Sequence, residues 1–235
     1  MSRALLQSTG MDRPSLTYGP RPRRYPLAGV GQPLSMFLAV IGILAAVAAF
    51  LRLTELYLLL NLQTVARGDL VASDRRLQGI ETISLLTMAP TVVLFLRWFH
   101  RAYGNIHPTA RRWGTKWAIG GWFAPVASFV VPFQIAQDIW RWSETHPAPG
   151  ASSRRPVSWS VNGWWLLWVV SGTASWGGLI FRQGGTVGTL QISSLVLLVS
   201  ELALAGCAAL AWTFVTHVTR LQDGGSNGSD GTSIS

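Results

Sequence analysis

The chain has 235 residues, of which 49% are hydrophobic and only 12% are charged, whereas about a quarter of the residues in a soluble domain are charged. This composition excludes an ordinary soluble protein and predicts an integral membrane protein. The net charge of +9 does not indicate nucleic-acid binding, because the arginines flank apolar runs, and the single cysteine, Cys207, excludes an intramolecular disulfide and a cysteine-rich metal site.

The first 33 residues are basic, contain several prolines and glycines, and show no apolar periodicity. Such a composition cannot bury enough apolar surface to fold, so residues 1–33 are predicted to be a disordered cytoplasmic arm. Translation can begin at Met1 or at Met11, and the sequence leaves both starts open.

Four later apolar runs are long enough to cross a bilayer, which requires about 20 residues. Together they predict an all-α membrane domain with four transmembrane helices over residues 34–221, followed by a tail, 222–235, whose glycines, serines and aspartates predict disorder. The predicted spans are residues 34–62, 79–99, 159–181 and 189–217.

Ionisable residues fall within three of these spans: Arg52 and Glu55 in the first, Glu81 in the second and Glu201 in the last. Charged groups are costly in hydrocarbon and usually face the interior of a bundle. With a rise of about 1.5 Å per residue, Arg52, Glu81 and Glu201 reach similar depths on different helices. They form a candidate intramembrane charge cluster, which either fixes the helix register or conducts ions or protons.

The stretch 113–142 differs from the four spans. Its strictly apolar centre is at the lower length limit for crossing, and Pro125 and Pro132 each interrupt the helical hydrogen-bond ladder. More arginines share the side of the N-terminus when this stretch does not cross, as the positive-inside rule prefers. We therefore predict a proline-broken re-entrant or interfacial segment in a multi-pass cell-membrane protein with a cytoplasmic N-terminus. Five spans are the alternative.

Tryptophans and basic residues cluster near the ends of these elements, where side chains of both kinds meet lipid headgroups. The candidate interfacial or motif residues are Arg101, Asn105, Trp117, Trp122, Pro125, Pro132, Trp140, Trp164 and Trp165.

The same stretch also carries a family resemblance. The run WAIGGWFAP (117–125) is followed by PFQ from Pro132 and by DIWR from Asp138. With the flanking FLRWFHRAYGNI and NGWWLLWVVS, these motifs resemble domain of unknown function 4328, a family of uncharacterised, mainly actinobacterial multi-span membrane proteins. The resemblance covers roughly residues 25–221 and implies a membrane protein without assigning catalytic residues.

The sequence shows no nucleophile paired with a base, no phosphate-binding loop and no metal-ligand set at a useful spacing. We therefore expect a non-enzymatic membrane component, without cofactor or metal, that binds lipid, anionic lipid in particular, or a membrane protein partner. The alternative is a small ion- or proton-coupled transporter or channel that uses Glu201, Glu81 and Arg52. The sequence leaves the oligomeric state open.

Overall fold

A computed structural model describes residues 25–145 and 158–224. This part of the chain is helical and contains no strand, which confirms the all-α fold class. Four helices, of 24 to 38 residues, are long and apolar enough to cross a membrane, so the chain is an integral membrane protein. The helices are α1 (Ala28–Leu60), α2 (Arg67–Gly104), α3 (Trp117–Gly120), α4 (Val131–Thr145), α5 (Trp159–Arg182) and α6 (Val187–Gly224), with 3-10 turns at Pro108–Ala110 and Ala127–Phe129.

The four long helices lie in the order α2, α1, α6, α5, because α1 packs on both α2 and α6 while α5 packs on α6. The chain reverses direction at residues 61–66 and again at 183–186, and we call this end of the bundle the turn end. At the opposite end, the terminal end, α1 and α5 begin and α2 and α6 finish. The short helices α3 and α4 pack between α2 and α5 near the terminal end.

Helix α1 begins before the predicted span. The sequence predicts disorder through residue 33, but residues 28–33 are helical. The carboxylate of Asp223, near the end of α6, accepts hydrogen bonds from the backbone N–H groups of Leu27 (3.0 Å) and Ala28 (2.7 Å). These bonds satisfy donors that the first turn of a helix leaves free. Residues 1–24 of the predicted arm lie outside the described chain.

Helix α6 also extends further than predicted, so the expectation of a disordered tail is wrong for residues 222–224. Gln222 is buried there, and its Nε2 donates to Ser143 Oγ at 2.9 Å. Its Oε1 accepts a hydrogen bond of 2.9 Å from Asn105. Polar residues that resemble a solvated tail therefore remain helical because partners from distant parts of the chain bind them. Residues 225–235 lie outside the described chain.

Helix α2 likewise begins at Arg67, well before the predicted span at residue 79. Ser73 and Leu77 are buried on one face of this added length, and Asp74 pairs with Arg182 of α5 at 3.0 Å. The helix extends beyond its apolar run because its polar residues also have partners on a neighbouring helix.

The predicted break in residues 113–142 is present. Helix α3 ends at Gly120, and a Cβ added at the next residue, Gly121, would lie 2.7 Å from the carbonyl oxygen of Trp117. Pro132 is the second residue of α4, where the N–H that proline lacks would have no helical partner. One continuous helix through this stretch is not formed.

Between α2 and α5 the chain enters the bundle and returns to the same end. The segment begins beside Tyr103 at the terminal end, where the Tyr103 hydroxyl bonds the backbone of Trp113. Its tip reaches Trp168, whose ring centroid is 6.4 Å from that of Phe129. Trp168 lies about 14 Å along α5 from the start of that helix. Helix α4 then returns to the terminal end, where Glu144 bonds His217 of α6. The segment therefore enters and leaves the bundle at the same end, and we call it the re-entrant segment.

Helices α1 and α6 approach closely at Gly31. A Cβ added at Gly31 would lie 2.7 Å from Oγ1 of Thr219. The Thr219 hydroxyl accepts a hydrogen bond from the indole of Trp98 on α2, at 3.0 Å. Small residues allow membrane helices to approach in this way, so three helices meet at this point.

Replacement of Gly31 by alanine should destabilise the protein by about 1–3 kcal/mol, because the added methyl group must displace Thr219 from Trp98. The matched control is Gly29→Ala, since a Cβ at Gly29 meets nothing within 4 Å. The control should be neutral or stabilising by up to about 1 kcal/mol. Thermal unfolding of the full chain in detergent, followed by circular dichroism, compares the variants. Equal melting temperatures would contradict the close approach.

Candidate functional site

A group of charged side chains lies between the helices, in the half of the bundle nearer the turn end. Arg52 of α1 is buried, and its Nη1 donates to Oε2 of Glu55 at 2.9 Å. Its Nη2 pairs with Glu81 of α2. A buried guanidinium needs such partners, because removing one partner of a buried ion pair costs about 3–5 kcal/mol. The ion pairs therefore join α1 to α2.

Helix α6 contributes to the same group. The hydroxyl of Ser194 donates to Oε2 of Glu55 at 2.8 Å. Glu201 lies close enough to Arg52 and Glu81 to interact with both electrostatically. The structure thus brings together the four charged residues that the sequence singles out, from three different helices.

Two further members, Asp74 and Arg182, were not predicted. Nη2 of Arg182 lies 3.0 Å from Oδ1 of Asp74 and 4.0 Å from Oε1 of Glu55. The seven-residue spacing of Asp74 and Glu81 places both on one face of α2, but this signal requires the helix to begin before Asp74. In the described part of the chain, no three His, Cys, Asp or Glu side chains are grouped to hold a metal ion. We call Arg52, Glu55, Asp74, Glu81, Arg182 and Glu201 the charge cluster.

A second polar group holds the re-entrant segment at the terminal end. The Tyr103 hydroxyl donates to the carbonyl oxygen of Trp113 and accepts from its backbone N–H, both at 2.9 Å. The indole of Trp113 donates to Oε1 of Gln134 on α4, also at 2.9 Å. Arg112 forms an ion pair of 3.0 Å with Asp138, which is buried. Burial raises the pKa of the Asp138 carboxyl and Arg112 lowers it, with burial the larger effect.

Trp122 lies at the centre of an aromatic cluster. Its ring contacts Phe95 and Phe99 of α2 and Trp165 and Trp168 of α5, with centroid separations between 5.6 and 6.1 Å. All four contacts are edge-to-face, the arrangement that aromatic pairs favour. The re-entrant segment therefore fills the space between α2 and α5 in the half nearer the terminal end.

Several residues predicted at the interface lie inside the protein instead. Trp164 and Trp165 are buried. Asn105 is also buried, and its side chain bonds both the N–H (2.6 Å) and the carbonyl oxygen (3.0 Å) of Tyr25. Arg101 donates to the carbonyl oxygen of the residue after Tyr25 at 3.3 Å. Asn105 and Arg101 therefore tie the residues that precede α1 to the end of α2.

The remaining candidates differ in exposure. Trp117 and Pro125 are exposed on the re-entrant segment, whereas Pro132 is buried at the start of α4. Trp140 is partly exposed and stacks on the imidazole of His217, with centroids 4.8 Å apart. The exposed side chains leave part of the terminal end available to ligands.

Comparison with known proteins places the chain in a family. The sequence model of the family described as Domain of unknown function (DUF4328) matches residues 62–220, which begin after α1 and include both proline motifs. The chain therefore belongs to this family, as its motifs indicate. No curated protein and no solved structure matches it.

Proposed function

We propose that this member of the DUF4328 family is a non-enzymatic membrane component whose terminal end binds anionic lipid. The re-entrant segment is the observation that carries the proposal, because it presents exposed apolar side chains at its tip and the exposed Lys116 near its base. This polarity matches a phospholipid leaflet, which has acyl chains inside and headgroups at its surface. A membrane protein partner is the alternative occupant of this surface.

The tip of the segment is suited to hydrocarbon. Phe123, Val126 and Phe129 are 72%, 83% and 53% exposed. Apolar surface left in water costs about 25 cal/mol per Å² relative to an apolar environment. The backbone here is bonded internally, for example from Ser128 N–H to the carbonyl oxygen of Ala124 at 2.8 Å, as a bilayer interior requires. These features support insertion of the tip into one leaflet.

Exposed basic side chains lie in the half of the bundle nearer the terminal end. Arg97, Lys116 and Arg220 are exposed, and none of the three has an ion-pair partner among the described residues. Near an anionic membrane surface, each basic side chain contributes about 1 kcal/mol of attraction. The exposed rings of Trp117 and Trp159 are of the kind found at membrane interfaces.

These basic residues also support a cytoplasmic location for the terminal end. The positive-inside rule places such residues on the cytoplasmic side, and the cytoplasmic leaflet carries anionic lipids. The arginines of residues 1–24 precede α1 on the same side of the first span. The proposal therefore places the N-terminus and the base of the re-entrant segment at the cytoplasmic surface of the cell membrane.

The purified full chain should retain phosphatidylglycerol in preference to phosphatidylcholine of the same acyl composition, as measured by native mass spectrometry. In the double variant Arg97→Gln and Lys116→Gln, this preference should fall roughly fivefold for each charge removed. The matched control, Arg75→Gln with Arg76→Gln, removes two exposed charges near the turn end and should leave the preference unchanged.

Equal retention of the two lipids by the wild-type chain, or an equal loss in both double variants, would contradict lipid binding at the terminal end. A membrane protein that co-purifies in place of lipid and dissociates in the Arg97 and Lys116 variant would support the alternative occupant.

The charge cluster supports a second candidate, a path for protons or ions. Helices α2 and α5 meet through the rings of Phe95 and Trp164, 5.8 Å apart in the half nearer the terminal end, and through the ion pair between Asp74 and Arg182 at the turn end. Along α2, Glu81 lies between these two contacts and is exposed. No described residue donates a hydrogen bond to Glu201. A carboxylate without a fixed donor can exchange a proton more readily than one held in an ion pair.

If the second candidate is correct, Glu201→Gln should abolish proton flux in proteoliposomes that contain a pH-sensitive dye. The neutral side chain keeps nearly the same volume but cannot carry an exchangeable acidic proton. The control variant is Glu144→Gln, which changes an exposed carboxylate outside the cluster. Equal flux in the wild-type chain and Glu201→Gln would exclude a path through Glu201.

A further inference from the structure

We infer that a groove between the start of α5 and the end of α6 binds the phosphate headgroup of an anionic phospholipid, an assignment that rests on the proposed lipid binding and gives it a site. The groove has a volume of about 430 Å³, within the range of about 300–1,000 Å³ that is typical of ligand sites. Its lining includes Trp140, Trp159, Trp212, Thr216, His217 and Arg220. We call it the α5–α6 groove.

One end of the groove is suited to an anion. Arg220 is exposed, and no described residue forms an ion pair or a hydrogen bond with its guanidinium. A guanidinium binds phosphate through two parallel charge-assisted hydrogen bonds. The hydroxyls of Ser158 and Ser160 also line the groove; they bond each other at 2.8 Å, which leaves one hydroxyl hydrogen to donate to a phosphate oxygen.

His217 lines the groove and is held by Glu144. Nε2 of His217 lies 2.6 Å from Oε1 of Glu144, so the carboxylate is engaged by the imidazole. The imidazole also stacks on Trp140. These contacts fix the wall of the groove and leave the positive charge of Arg220 available to a ligand.

The groove is also lined by exposed apolar rings, of which Trp212 lies towards the membrane-spanning part of α6. Trp159 and Trp212 are 76% and 44% exposed. Trp212, Thr216 and Arg220 are four residues apart, so they lie along one face of α6. Trp212 is about 12 Å from Arg220 along the helix, in the direction of the membrane-spanning part of α6.

This separation supports a lipid rather than a soluble phosphate compound as the ligand. A phosphate at Arg220 would place the attached acyl chains beside Trp212 and Leu210, which also lines the groove. The exposed Leu166, two turns along α5 from Trp159, continues the apolar surface. The groove thus combines a headgroup site with an acyl-chain surface in the order that one phospholipid presents them.

The test is a titration of the full chain in detergent with phosphatidylglycerol, in which native mass spectrometry reports the most tightly bound lipid. Arg220→Gln should lower the affinity for this lipid by about tenfold, because the charge-assisted hydrogen bonds are lost. Trp159→Ala should lower the affinities for phosphatidylglycerol and phosphatidylcholine by the same factor, because it removes apolar contact that both lipids share. The control variant Arg76→Gln changes an exposed arginine near the turn end and should leave the affinity unchanged. Equal melting temperatures establish that the variants are folded.

The outcomes separate the groove from the wider proposal. If the wild-type chain does not prefer phosphatidylglycerol, both the groove assignment and the proposed function fail. If Arg220→Gln binds as tightly as the wild-type chain while the Arg97 and Lys116 double variant is weakened, the groove assignment alone is overturned. Glycerol phosphate, which lacks acyl chains, should not displace the lipid at millimolar concentration. Displacement would overturn the assignment of a lipid and indicate a soluble phosphate ligand.

Discussion

Inside a bilayer, backbone N–H and C=O groups must find partners within the protein, and the re-entrant segment is where this chain has to meet that constraint. The four long helices satisfy it by their own hydrogen bonds. Between α3 and α4, the N–H groups of Trp122 and Phe123 instead bond carbonyl oxygens three residues earlier. Tyr103 bonds both backbone groups of Trp113 where the segment begins. With these groups satisfied, the aromatic rings can pack between α2 and α5.

Both ends of the bundle carry exposed basic side chains, since Arg75 and Arg76 near the turn end also have no ion-pair partner among the described residues. Near the turn end, Arg52 and Arg182 are paired with carboxylates of the charge cluster. At the terminal end, Arg97, Lys116 and Arg220 have no ion-pair partner in the described part of the chain. Charges that are paired inside the protein attract external anions weakly, whereas free surface charges attract them fully. The unpaired basic side chains of the terminal end lie in the same half of the bundle as the re-entrant segment, and this combination supports the proposed lipid binding there.

The sequence predicts the four spans because apolar length alone determines whether a helix can cross a bilayer. It does not predict where the helices end. Asp74 and Asp223 lie in helical turns beyond the apolar runs, and their partners are distant in the sequence. The same limit applies to the charge cluster. The constant helical rise is enough to relate the depths of Arg52 and Glu81. Arg182 is the last residue of α5, and the sequence does not show that α2 extends far enough for Asp74 to reach it. Buried and interfacial tryptophans also look alike in a sequence.

Membrane topology tests the re-entrant segment most directly. In a Cys207→Ala background, single cysteines at Thr109 and Pro149, which flank the segment, would be labelled with a membrane-impermeant maleimide in intact cells and in inside-out vesicles. A cysteine at Gln63, in the turn between α1 and α2, reports the opposite side. We predict that positions 109 and 149 react from the same side and position 63 from the other. Reaction of positions 109 and 149 from opposite sides would show that the segment crosses the membrane and would contradict the account.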